Sequence, residues 1–381
     1  MVYIACYLLL LSIYTALILF YYQGFWRLPQ FQLEANYKAH TTVSVLIPAR
    51  DEADNIENLL NDLNEQTFPI DLLEIIVIDD HSTDDTVTIV ERFAASHKHL
   101  TIKLLRLSDT TVQQAYKKKA IEWAVHQANG HLIVTTDADC RLPKNWLCCL
   151  TAFYEKYNYK IIAAPVKYAF NPNSFIEQFQ ALDFISLIGI TGASIHTRIN
   201  NMCNGANLCY EKKAFDEVNG YKGNDHLSSG DDLFLIHKLG AKYPNGVGFI
   251  KSNEACVITY PKATWQEFLA QRLRWSSKST SYAERSITLI LLLVYFTNLL
   301  LPIGLIACFI FPVFIPYFLT SLLVKSVADV LFLYQVTDFF GQRRLLKNIL
   351  QIGVVHIFYI ILVGALGQVS SFEWKGRKLK K

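Results

Sequence analysis

Two acidic pairs in this chain have types and spacing that could do chemistry. Asp137-Ala138-Asp139 follows directly on the apolar run His131-Leu132-Ile133-Val134-Thr135-Thr136, and Asp231-Asp232 precedes Gln271-Arg272-Leu273-Arg274-Trp275 by about forty residues. A strand ending in Asp-x-Asp puts two carboxylates where a hard divalent cation and a diphosphate can meet. Oxygen ligands suit Mg²⁺ or Mn²⁺, which share their shell with substrate phosphates. A later, separate carboxylate can take the proton of an acceptor hydroxyl. A helix carrying Gln-x-x-Arg-Trp can hold a leaving diphosphate and stack on a sugar. Together these groups could move a sugar from a nucleotide to an alcohol.

Such groups need a scaffold, and the pattern of apolar runs supplies one. Runs at 43–47, 74–78, 101–107 and 131–136 read as strands, the first ended by Pro48 and the second leading into Asp79-Asp80. Between them lie helical stretches at 52–64, after Ser82-Thr83-Asp84-Asp85 as far as about Ala95, and at 113–129. Ser82 with Asp85 three residues on has the form of a capping box. This strand–helix alternation predicts a parallel sheet with helices on both faces. Ligands bind such sheets at the carboxyl ends of the strands, where Pro48, Asp79, Asp80, Asp137 and Asp139 all fall. Later come a strand near 160–168, a helix near 173–190, the turn Asn204-Gly205-Ala206-Asn207, a loop at 220–230 and the helix opened by Asp231-Asp232. Residues 264–284 form an amphipathic helix in which Trp265, Phe268, Leu269, Leu273 and Trp275 stand among basic residues, a composition suited to a membrane surface.

Of the 381 residues 52% are hydrophobic, concentrated towards both ends, and the net charge of +3 implies no nucleic acid or other polyanionic partner. Residues 2–22 are apolar over a length that spans a bilayer. No basic stretch precedes them and no small-residue cleavage site follows, so a retained anchor is expected. Further candidate spans lie near 287–310, 313–336 and 349–368; Lys325 and Asp329 in the middle one need burial in protein. The expected division is an anchor at 1–22, a linker at 23–41, a catalytic domain at 42–262 and an interfacial helix at 263–285. Two or three membrane segments follow at 286–370, then a basic tail at 371–381. The eight cysteines have no zinc-ligand spacing and read as reduced thiols, with Cys140 an apolar filler.

The motifs resemble the family 2 glycosyltransferases, inverting enzymes of the GT-A fold with a bound divalent metal. The match covers about 41–285. It rests on Val45-Leu46-Ile47-Pro48-Ala49-Arg50-Asp51-Glu52, Ile78-Asp79-Asp80-His81-Ser82-Thr83-Asp84, Lys117-Lys118-Lys119-Ala120, Asp137-Ala138-Asp139, Gly230-Asp231-Asp232-Leu233 and Gln271-Arg272-Leu273-Arg274-Trp275. The anchor and C-terminal segments also resemble the membrane-bound lipid branch, which includes ceramide glucosyltransferase and bacterial carotenoid or hopanoid glycosyltransferases. The closing Trp374-Lys375-Gly376-Arg377 is similar to the tail of several bacterial members.

The resemblance implies an α/β, Rossmann-like, mostly parallel nucleotide-sugar-binding domain and a metal-dependent hexosyltransferase. Its donor would be a UDP- or GDP-linked sugar, its acceptor a lipid or lipid-linked alcohol. The donor would be bound by Pro48, Glu52, Asp79, Asp80, Lys118, Lys119 and Asp137, with Asp80 receiving hydrogen bonds from the nucleobase. A lysine triplet is also what a solvated helix face looks like. Asp139 would be the direct metal ligand, with Asp137 on the sugar, the ribose or a metal-bound water. Asp232 would be the general base; Asp231 stands where the family has Glu, so the two could trade roles. Gln271 would orient Arg274 on the diphosphate and Trp275 near the acceptor. His81, His131 and His226 read as surface or packing residues. A processive polysaccharide synthase is the alternative enzyme, disfavoured because four spans are few for a secretion channel; a catalytically dead scaffold is disfavoured by the complete acid set.

Nucleotide sugars are cytosolic, so the catalytic domain is expected at the cytoplasmic face of an inner membrane. Both the loop with Arg343, Arg344 and Lys347 and the tail with Lys375, Arg377, Lys378, Lys380 and Lys381 favour the cytoplasmic side. Three full C-terminal spans would put that tail outside, so one segment is expected to be re-entrant or interfacial.

Overall fold

The computed structural model describes residues 2–107, 116–223, 230–276, 285–367, 372–374 and 377–379, in two units. One unit comprises Leu28–Ala169 with Ser194–Tyr260; the other comprises Met1–Arg27, Phe170–Ala193 and Pro261–Lys381.

The chain begins with helix α1 (Val2–Arg27) and then builds the sheet unit. Its first elements are β1 (Val43–Ala49), α2 (Ile56–Asn64), β2 (Leu73–Asp79), α3 (Thr86–Ser96), β3 (Thr101–Arg106), α4 (Tyr116–Gln127) and β4 (Leu132–Thr135). After these come α5 (Trp146–Tyr157), β5 (Ile161–Ala163), β6 (Val166–Tyr168), α6 (Phe175–Thr197), β7 (Leu208–Glu211), α7 (Lys212–Glu217), α8 (Asp231–Lys242), β8 (Val247–Phe249) and β9 (Val257–Thr259). The seven-stranded sheet has the order β3-β2-β1-β4-β7-β5-β8. Strands β3, β2, β1 and β4 are parallel, whereas β7 runs antiparallel to both β4 and β5. A separate parallel pair joins β6 to β9.

The predicted first half of the sheet is present, and its sequence explains it. Val45, Leu46, Ile47, Ile75, Ile76, Val77 and Ile78 are fully buried. Strands covered on both faces lose the apolar–polar alternation, and each such side chain contributes about 1.5–3 kcal/mol of burial.

Pro48 does not end β1; it pairs with Ile78 of β2. Leu46 accepts a bond from Thr136 on the β4 side, so alternation puts the Pro48 nitrogen on that side too, where the β1–β4 ladder has already stopped at Leu46–Thr135. No ladder bond is lost there. The helix expected from Glu52 begins only at Ile56, and residues 52–55 form a turn.

In the other unit, α9 (Trp265–Ser276), α10 (Arg285–Ile310), α11 (Ile315–Phe339) and α12 (Ile349–Leu366) join α1 and the first part of α6, and a hairpin of β10 (Phe372–Trp374) and β11 (Arg377–Leu379) follows. Among the described residues four segments are long and apolar enough to cross a membrane: Tyr7–Arg27, Ser286–Ile310, Pro312–Phe339 and Arg343–Leu366. The charges within α11 are partnered. Lys325 Nζ lies 2.6 Å from Asp329 Oδ2, and the Tyr14 hydroxyl of α1 donates to Asp329 Oδ1 at 2.7 Å. Helix α12 runs beside α9, with Phe268 and Tyr359 ring centroids 5.3 Å apart. At its end, a Cβ on Gly367 would lie 2.0 Å from Ser276 Oγ, so no larger residue fits. Strand β10 also packs against α9.

Candidate active site

At the ends of β1 and β2 a tight interlock holds Asp80. Its backbone N–H donates to the Ala49 carbonyl at 2.9 Å, and Arg50 Nη1 donates to its carbonyl at 3.1 Å. Its buried carboxylate lies 2.9 Å from His81 Nδ1 and 4.0 Å from Arg50 Nη1. His81 takes a left-handed φ of 60°, uncommon for a residue with a Cβ. The histidine read as packing therefore touches the proposed nucleobase acceptor. Asp51, with φ of 50°, donates its N–H to Ser82 Oγ at 3.0 Å and accepts from Thr83 N–H at 2.7 Å. Ser82 is thus engaged by the β1 turn and does not cap α3. Asp84 holds that helix start instead, accepting from Thr86 N–H at 3.0 Å and Ala53 N–H at 3.0 Å. Against the cost of burial, the Thr86 hydroxyl, which donates to Asp84 Oδ1 at 2.5 Å, and these backbone donors hold its carboxyl below the ordinary range. Asp79 Oδ1 accepts Ser82 N–H at 3.2 Å, and Glu52 accepts Asn55 Nδ2 at 2.8 Å.

At the end of β4 the chain turns through Asp137, whose carbonyl accepts the Cys140 N–H at 3.1 Å. Ala138 and Cys140 point inward and are buried, leaving Asp137 and Asp139 half-buried to either side. Burial, reinforced by the two neighbouring carboxylates, pushes the Cys140 thiol well above its ordinary value, so it is a neutral filler.

A relay of hydrogen bonds joins this strand end to the second acidic pair. Thr135 Oγ1 donates to the Gly205 carbonyl at 2.7 Å, and Gly205 N–H donates to Asp232 Oδ2 at 3.0 Å. Asp232 Oδ1 accepts Leu233 N–H at 2.8 Å in the first turn of α8, where the helix dipole favours a carboxylate. Asn207 anchors the turn from inside. It accepts from Trp146 Nε1 at 3.0 Å and donates to the carbonyls of Pro165 at 2.8 Å and Ala255 at 2.7 Å. Gly205, Asn207 and Thr135 had no predicted role; the Gly- and Asn-rich composition of the turn was the only signal for the first two, and Thr135, the last residue of β4, had none.

Lys118 is buried in the first turn of α4, whereas Lys119 is exposed. Gln271, Arg274 and Trp275 lie half-buried on α9 of the helical unit. His131 is exposed at the surface, its Nε2 2.7 Å from the Tyr154 hydroxyl. The Asp231 side chain and His226 lie outside the described residues. Among the described residues no group of three or more His, Cys, Asp or Glu could hold a metal alone. Two carboxylates, Asp137 and Asp139, are nevertheless the donor set of a hard cation that completes its shell with substrate phosphates, so the residues present fit Mg²⁺ or Mn²⁺.

The family profile described as "Glycosyl transferase family 2" matches residues 44–218, and that of "Glycosyl transferase family group 2" matches residues 132–361, more than half of the chain. The chain belongs to the family 2 glycosyltransferases. Its sequence is 26% identical over 192 residues to "Glycosyltransferase AglE" of Haloferax volcanii, covering 50% of this chain and 59% of that protein. It is also 26% identical over 198 residues to the "4,4'-diaponeurosporenoate glycosyltransferase" of Staphylococcus aureus, covering 50% of each. The chain thus spans little more than half the length of these relatives. Among solved structures it is similar to the mannosyltransferase PcManGT of Pyrobaculum calidifontis, in complex with GDP-Man and Mn2+. That similarity has a TM-score of 0.59 at 18% identity and covers 96% of this chain and 99% of that one. It shows a shared GT-A fold.

Proposed function

We propose that the protein is an inverting glycosyltransferase that moves a sugar from a UDP- or GDP-linked donor to a lipid or lipid-linked hydroxyl at the cytoplasmic face of a membrane. The observation that carries this reading is the placing of Asp80 and the Asp137–Asp139 pair at the carboxyl ends of the parallel strands β2 and β4, with the relay to Asp232, in a chain whose described residues include four membrane-length helices. In keeping with it, one relative is named for the acceptor 4,4'-diaponeurosporenoate, and PcManGT was solved with GDP-Man and Mn2+.

Asp80, oriented by His81 and Arg50, receives the nucleobase, with Pro48, Glu52 and Asp79 around it. Lys118 balances phosphate charge; exposed Lys119 is the weaker candidate. Asp139 would hold the metal, and Asp137 the donor sugar, the ribose or a water on that metal. When bound, Mg²⁺ or Mn²⁺ would supply neutralisation of the leaving diphosphate. Asp232 takes the proton of the acceptor hydroxyl as its oxygen bonds to the anomeric carbon and the bond from that carbon to the diphosphate oxygen breaks. One base opposite the leaving group suffices, with no covalent intermediate. Gln271, Arg274 and Trp275 keep the roles implied by their motif, on diphosphate and acceptor.

The purified protein in detergent, given UDP- and GDP-sugars with Mn²⁺ or Mg²⁺ and a lipid extract, should release nucleoside diphosphate in an EDTA-sensitive manner and add a single sugar. A polymeric product would overturn the reading in favour of a processive synthase. Metal-independent release would overturn the roles of Asp137 and Asp139.

A further inference from the structure

Within Gln271-Arg272-Leu273-Arg274-Trp275, the residue drawn furthest into the protein is Arg272. It is 2% exposed, although Arg is almost never fully buried unless paired. Its partner is Asp183 of α6, itself buried, with Arg272 Nη2 2.8 Å from Asp183 Oδ2. The other carboxylate oxygen lies 3.6 Å from His356 Nε2 of α12. Asp183 is therefore the hub of three helices. Burial works against its charge, but Arg272 and then His356 hold its carboxyl below the ordinary range, so the hub is ionised.

The guanidinium then does a second job. It lies 5.1 Å from the Phe268 ring centroid and 4.2 Å from that of Trp275. Residues four before and three after Arg272 share its helix face, so the three side chains form one stack along α9. A guanidinium suits this place better than an ammonium, because its charge can lie against the carboxylate while its faces stack on rings. Among the described residues the indole has Phe184 of α6 as a ring neighbour, at 6.2 Å. Phe184 directly follows Asp183, so α6 presents both the anion that fixes Arg272 and a ring beside Trp275.

We infer that Asp183 and Arg272 are positioning residues that set the plane and place of the Trp275 indole for acceptor binding. This rests on the reading that Trp275 meets the acceptor. Removing one charge alone would strand the other in a buried site and endanger folding, whereas removing both together is commonly tolerated. The test therefore uses the full-length protein carrying Asp183→Asn with Arg272→Met, alongside Trp275→Ala, Trp275→Phe and all combinations, with thermal unfolding to establish that each is folded.

Two readings are taken. The first is the Trp275 contribution to tryptophan emission, obtained by subtracting the Trp275→Phe spectrum in each background; the chain has six tryptophans, so the subtraction is needed. Loss of the pair should shift this contribution to the red, and an unchanged contribution would overturn the inference. The second is transfer kinetics. A misplacement of about 1 Å can cost roughly 10²-fold. The pair variant should therefore lose about 10- to 10²-fold in kcat/KM for the acceptor, with the donor KM unchanged. In the Trp275→Ala background the same change should cost less than about twofold, because coupled residues are not additive. Independent, multiplicative losses would overturn the inference. A shifted emission with Trp275→Ala retaining full transfer would instead overturn the role given to Trp275.

Discussion

Replacing Asp232 by Asn is the substitution in which structure and catalysis can be separated most cleanly. Both carboxylate oxygens accept backbone N–H groups, from Gly205 at 3.0 Å and from Leu233 at 2.8 Å. An amide has one oxygen, so its NH2 must face one of those donors. The structural cost is one charge-assisted bond, about 1.5–3 kcal/mol, plus about 0.3–1 kcal/mol from the lost charge at the helix N-terminus. The melting temperature should fall by a few degrees. The catalytic cost is separate. General-base removal costs about 10²–10⁴-fold in rate, and no other described carboxylate is joined to this turn, so the upper end is expected. Donor binding rests on other residues, and the donor dissociation constant should stay near the wild-type value. Single-turnover transfer and titration with nucleotide sugar in detergent measure the two quantities. Weakened donor binding with preserved turnover would refute the reasoning and move the base to Asp231 or elsewhere.

Asp139→Ala should abolish transfer with little loss of stability; near-normal, EDTA-sensitive turnover in variant membranes would show that the metal is held elsewhere. Burial pushes the Lys251 ammonium down to about 8 from 10.5. The unfolded chain therefore binds more protons between those pH values, and stability should rise with pH across that window. Lys251→Met removes the titrating group and should flatten the rise; parallel wild-type and variant curves would contradict this. The tail is expected on the cytoplasmic side, in keeping with β10 packing against α9 and α12 running beside it. In a cysteine-free background, a cysteine at Lys381 should resist an impermeant thiol reagent applied to intact cells, as should one at Gln342. Labelling at 381 from outside would establish three full C-terminal spans.

Strands β1, β2 and β4 were legible in the sequence because parallel strands covered on both faces read as apolar runs, whereas β3, the half-buried edge strand, kept its position through its place between two helical stretches. The single strand expected near 160–168 is in fact two, β5 in the main sheet and β6 paired with β9, while β7 and β8 have four and three residues and join the sheet out of chain order, so no local pattern announces them. Asp80, Asp137, Asp139 and Asp232 could be picked out because each stands at an element boundary. What orients them could not. The Thr135–Gly205 bond joins positions 70 residues apart, and His81 reaches Asp80 only through a left-handed turn. Lys118 and Lys119 look alike in sequence, and only helix packing separates the buried one from the exposed one. Arg272 was hidden by its motif, where the flanking residues drew the assignments, because its partner Asp183 lies far away in the chain.

The central claim, transfer of one sugar to a lipid hydroxyl, is tested most directly by mass measurement of lipids extracted from cells with and without the protein, and from cells carrying the Asp139→Ala form. The account predicts a lipid present only with the wild-type protein and heavier than its precursor by a single sugar. Identical lipid profiles, together with a polysaccharide that disappears when the protein is removed, would contradict it.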